Sequence, residues 1–170
     1  MLRGTTSHDS GAAKQILLRV CAEGNSHTWA QGHMEGLIKK AYPDANRHYR
    51  RILKDAFVLD PKRDSQRLLE LSKTRDRNIL EILIRRPDLP NLHLFNVIRP
   101  GNPKELILYA MQHRAIPFVL RSAIRSGDKE LVEAAMANPN TEPLEVIDAL
   151  DGGRADGKAL ILRLEEMFRQ

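Results

Sequence analysis

The chain is poor in most residues that carry chemistry. It has a single cysteine, Cys21, which excludes an internal disulfide framework and any multi-cysteine metal centre; a reducing cytoplasm fits that usage. One Trp, three Tyr and four Phe leave Leu, Ile and Ala to build the core. That balance favours helices, because sheets lean on Val, Thr and aromatics. No apolar run approaches the roughly 18 residues of a membrane span. The N-terminal stretch carries Arg3, Lys14 and Arg19 and no apolar block, so it is not a secretory signal. Gly24, Gly32 and Gly36 form no phosphate-cradling loop, and no Gly-x-Ser-x-Gly elbow exists. The 170 residues suit one domain with a small N-terminal extension, long enough to bury a core without staples.

What is present is a recurrence. Asp76, Asn102 and Asp128 stand 26 apart, and each is a residue type whose side-chain oxygen accepts from the free N–H groups of a helix's first turn. A helix-like run follows each one, with Pro103 at a first helical position where its missing N–H does no harm. Three apolar columns share the frame: Leu92, Phe118 and Leu144; Leu94, Leu120 and Val146; Ile98, Ile124 and Leu150. Pro87 and Pro139, 52 apart, mark breaks between paired helices, and Pro61 extends the register backwards. The pattern predicts an all-α chain of about 26-residue, two-helix units. A unit of this size cannot hide its apolar stripe alone, so stacking is expected to bring all three columns into one core.

Two segments, Ile84-Arg85-Arg86-Pro87-Asp88-Leu89-Pro90 and Met136-Ala137-Asn138-Pro139-Asn140-Thr141-Glu142-Pro143-Leu144, resemble the loop signature of bacterial leucine-rich-repeat-variant and HEAT-like helical repeats. The resemblance covers roughly residues 50–150. It implies a right-handed helical solenoid used for binding. One branch of the family is associated with a cysteine-rich iron–sulfur segment; this chain lacks those cysteines, so no cofactor is carried over. The unit here is also longer than the family's.

The ends read differently. Residues 1–11 are expected to be a disordered polar tail and 12–48 an N-terminal helical segment, with helices over Ala12–Ala22 and Thr28–Ala41. Asp44 or Asn46 is predicted to cap a third helix running to Leu59. The repeat domain is expected over 49–170, closed by a capping helix within 154–170 whose apolar residues are Leu160, Ile161, Leu164, Met167 and Phe168.

Candidate chemistry is thin. Cys21 lies between Val20 and Ala22 in an apolar helical pattern, as a structural thiol would. Cys21, His27 and His33 match no zinc spacing; His48, His93 and His113 read as solvent-facing or capping. Carboxylate pairs such as Glu165 and Glu166, or Glu130 and Glu133, fall on solvent faces. The chain therefore reads as a non-enzyme.

Charge supplies the remaining clue. Residues 39–86 hold fourteen bases against seven acids, whereas 1–38 balance and 87–170 hold ten bases against twelve acids. The basic residues Lys39, Lys40, Arg47, Arg50, Arg51, Lys54, Lys62, Arg63, Arg67, Arg85 and Arg86 are the candidate partner-binding set. Arg50 and Lys54 share a helical face, and His48 and Tyr49 among them offer rings for stacking on bases. The expected function is a scaffold binding another protein through exposed helix faces, Lys104 and Lys129 among them. The alternative is a DNA- or RNA-binding protein that uses the basic tract.

Overall fold

The computed structural model describes residues 6–24, 32–114, 116–153 and 157–169. Among these there are eleven helices and no strand. Residues divide into two units, Met1–Val97 and Ile98–Gln170; the division falls inside the repeat domain expected over 49–170. In the first unit lie α1 (Thr6–Ala22), α2 (His33–Ala41), α3 (Arg47–Val58), α4 (Ser65–Lys73), α5 (Arg77–Arg85) and α6 (Asn91–Val97). In the second lie α7 (Lys104–His113), α8 (Pro117–Arg125), α9 (Lys129–Ala137), α10 (Pro143–Asp151) and α11 (Gly157–Phe168).

The recurrence is visible in helix starts: α4, α6, α8 and α10 begin at residues 65, 91, 117 and 143, 26 apart. Local chemistry repeats with it. Asp76 and Asp128 cap α5 and α9, accepting from the Ile79 and Leu131 amides. Their own amides donate to Thr74 Oγ1 at 3.0 Å and Ser126 Oγ at 3.1 Å. Gly101, Gly127 and Gly153, again 26 apart, all have positive φ (91°, 70° and 59°), a region that a side chain makes costly. Each follows one helix of a pair and turns the chain toward the next.

Packing follows an alternating rule inside each unit. In the first, α3 packs on α5 and α4 on α6; in the second, α7 packs on α9 and α8 on α10. Polar bonds tie the same pairs in the same register. Arg86, just after α5, donates to the carbonyls of Ala56 and Leu59 at the end of α3. Asn138, 52 residues later and just after α9, donates to the Met111 carbonyl of α7 at 3.3 Å. Asn96 of α6 donates to Ser72 Oγ of α4 at 3.1 Å; outside these pairs, Ser122 of α8 reaches the Ile98 carbonyl at 3.5 Å. The carbonyls at a helix C-terminus have no partner within their own helix, and here the neighbouring helix supplies one.

Several expectations need correcting. The column Leu92, Phe118, Leu144 is not core: Leu92 is 66% and Leu144 60% exposed, and Phe118 is half-buried. Leu94, Leu120 and Val146 are fully buried instead, together with Ile98 and Ile124. The reason is helical geometry. Residues two apart lie about 200° apart around a helix, so the first and second columns cannot share a face, whereas Leu94 and Ile98, four apart, can. Helix α1 starts at Thr6, so residues 6–11 belong to a helix rather than a tail. Asn102 does not cap α7; the helix opens on Pro103, whose carbonyl accepts from the Leu106 amide. Asn46, not Asp44, caps α3. In α11 only Leu160 is buried, while Ile161 and Phe168 face solvent. The first part of the helix expected over Thr28–Ala41 and the start of the 154–170 cap lie outside the described residues.

Candidate functional site

The basic tract collects in one place. Helices α2 and α3 pack together and enclose a groove of about 690 Å³, lined on the α3 side by Arg47, Arg50, Arg51 and Lys54. These are one and two turns apart on a helix, so they point to the same side. His48 also lines the groove, Ile38 forms its floor, and only Glu35 and Asp55 bring negative charge. Arg47, His48 and Arg51 are exposed, and Arg50 and Lys54 half-buried. None of the four cations has an ion pair or side-chain hydrogen bond among the described residues. Lys39 and Lys40 stand exposed at the end of α2, and Lys62 beyond α3, their ammonium groups likewise without an ion pair or hydrogen bond among the described residues.

The rest of the candidate set is not brought to this groove. Arg63 pairs with Asp60 at 3.4 Å, and Arg67 with Glu70 at 3.1 Å and Asp55 at 3.7 Å. Arg85 is half-buried at the end of α5. Arg86 is 1% exposed, so it cannot meet a partner. Its guanidinium is used up on the α3 carbonyls and on Asp88, 2.8 Å away. Tyr49 is also withdrawn from any stacking role: its hydroxyl donates to Asp76 at 2.7 Å and accepts from Asn78 at 3.3 Å. Burial, with Asp76 adding and Asn78 opposing, pushes its phenol up to about 12. Lys104 and Lys129 are exposed as expected but already paired, with Glu130 and Glu133.

Cys21 is 1% exposed, and its thiol reaches the Ile82 carbonyl at 3.5 Å. Burial foremost, helped by Asp88 and opposed by Arg86 and Arg85, pushes it up to about 12 from the ordinary 9.0. The thiol is therefore expected to react with a thiol reagent only as fast as the chain opens, and at full rate in denaturant. The sign of the pH effect follows: the neutral thiol's stabilisation is whole below pH 9.0 and fades as pH rises toward 12. Denaturation midpoints at successive alkaline pH values should fall less steeply in Cys21→Ala. Rapid labelling of the folded protein would contradict the burial.

Histidine 93, expected at the surface, is 3% exposed, with Nε2 at 3.1 Å from the Ser65 carbonyl. His48, His33 and His113 are exposed; His27 lies outside the described residues. Among those residues no group of three or more His, Cys, Asp or Glu side chains could hold a metal, and no helix is long and apolar enough to cross a membrane.

A second surface feature escaped the sequence reading. On α6, Leu92 and Phe95 are 66% and 56% exposed; on α10, Leu144 and Ile147 are 60% and 40% exposed. The pairs occupy corresponding positions, 52 residues apart. The available signal was the three-residue spacing of each pair after a helix start, which puts both members on one face.

Fold and surface together define an all-helical protein of recurring helix pairs. No protein-family model matches the chain, and no curated protein or solved structure does either.

Proposed function

We propose that the chain is a non-enzymatic helical-repeat module, a right-handed solenoid of two-helix units closed by α11, that binds another protein through exposed helix faces. Support for the repeat comes from the 26-residue spacing of helix starts, the glycines at 101, 127 and 153, and, within each unit, the packing of α3 on α5, α4 on α6, α7 on α9 and α8 on α10. The observation that carries the binding role is the pair of apolar residues left open at the same position of two helices, Leu92 with Phe95 and Leu144 with Ile147. Solvent contact of such side chains forgoes about 25 cal/mol per Å², and the fold does not require them there. Their return in the same frame argues for a covering surface.

The test replaces all four by lysine. The variant is expected to keep the wild-type helical signal and denaturation midpoint, because the positions are exposed, yet to lose at least tenfold in quantitative capture of proteins that the wild type retains from lysate. Identical captured sets for the two chains would end this reading.

A further inference from the structure

We infer that the groove between α2 and α3 is a phosphate-binding track for single-stranded nucleic acid, separate from the apolar faces. Three observations carry it. First, four cations converge on one concavity of about 690 Å³, and none is neutralised by an intramolecular partner among the described residues. Elsewhere the chain pairs its cations readily, as with Arg63, Arg67 and Arg77.

Second, the placement works against the helix. Arg47 and Arg50 stand in the opening turn of α3, which contains no acid. The helix dipole disfavours cations there and favours Asp or Glu. A cation cluster that its own helix destabilises is not explained by folding; it fits a ligand of opposite charge.

Third, the chemistry of the lining selects among anions. Three of the four cations are arginines, whose planar forks hold phosphate oxygens in pairs. His48 is exposed at the same groove and offers a ring face to a base. The positions from Arg47 to Lys54 extend over about 10 Å of helix axis, a track for a few successive phosphates. A walled groove suits a flexible strand that can lie in it, where a duplex presents a broad, stiff cylinder.

The full chain is titrated by fluorescence anisotropy with a labelled 20-nucleotide single-stranded RNA, the same sequence as single-stranded DNA, the duplex, and poly-glutamate. Four phosphate contacts predict a log–log salt slope of about −3 for a single strand, and so about fiftyfold weaker binding at 200 mM than at 50 mM salt. Substituting Arg47→Gln, Arg50→Gln, Arg51→Gln and Lys54→Gln together is expected to remove the salt-dependent binding. Arg51→Gln alone should reduce the slope by about 0.7. The ion-paired control Arg63→Gln with Arg67→Gln should leave it unchanged. The fourfold variant is also expected to melt no lower than wild type, since it relieves the dipole conflict. Single-strand binding that survives in the fourfold variant overturns the proposal. So does poly-glutamate binding as tight as RNA, which would assign the groove to an acidic protein, or tighter binding of the duplex. The lysine variant of the apolar faces should bind the strand at least as tightly as wild type, its four added charges opposing any loss, so the two readings fail separately.

Discussion

Replacing Arg86 by methionine is expected to destabilise the protein by about 3 kcal/mol, although the stem and its packing are kept. The guanidinium is 1% exposed and donates to the Ala56 and Leu59 carbonyls. Removing it leaves main-chain acceptors without a partner, each costing about 1–3 kcal/mol where water cannot replace the donor. The Ala56 carbonyl is the more deeply buried of the two bonds, so most of the loss falls there. Asp88, 42% exposed, contributes little, because water screens such a carboxylate. Asp88→Ala should therefore cost under about 1 kcal/mol. Arg86→Lys should fall between, since an ammonium cannot span the acceptors that a planar fork reaches. Chemical denaturation monitored by circular dichroism measures all three. An Arg86→Met protein within about 0.5 kcal/mol of wild type would show that the bonds to α3 do not hold it.

The second large effect separates two leucines two positions apart. Leu94→Ala is expected to cost about 2–5 kcal/mol, the range for removing a buried leucine side chain, since Leu94 is fully buried. Leu92→Ala, at 66% exposure, should fall within about 0.5 kcal/mol of wild type. The same contrast is expected between Leu120→Ala and Leu144→Ala in the second unit, whose parent residues are 0% and 60% exposed. Equal losses at Leu92 and Leu94 would place both in the core and overturn the helix orientation described above.

That contrast also shows where sequence reading works. Helix type along the repeats was legible, because Asp76 and Asp128 announce helix starts through their own side chains, and in the structure both accept amides of the first turn. The 26-residue frame was legible for the same reason. Which column faces inward was not read correctly from apolar identity, since Leu92 and Leu94 look alike. Helix geometry would have separated them, because only Leu94 and Ile98 lie one turn apart. The glycines at 101, 127 and 153 carried a stronger periodic signal than Asn102, yet their need for positive φ emerges only once the turn is built.

For the basic tract, charge density located the region but not the membership. Spacing alone put Arg47, Arg50, Arg51 and Lys54 on one side of a helix, and the structure lines a groove with them. Arg86 was indistinguishable from them in sequence. Its burial depends on a turn after α5 that aims it at carbonyls 27 and 30 residues earlier. Glu35 joined the groove through the packing of α2 on α3, which no local pattern encodes, whereas Asp55 stands one turn after Arg51 on α3 itself.

The bonds from Arg86 and Asn138 have an evolutionary implication. In each, the receiving atom is a peptide oxygen of the helix two places earlier, present whatever amino acid occupies that site. Only the donating half is exposed to mutation, and two chemically different donors already serve. A junction built this way tolerates drift in one partner completely and in the other broadly, so duplicated segments can diverge in composition while still docking on their neighbours.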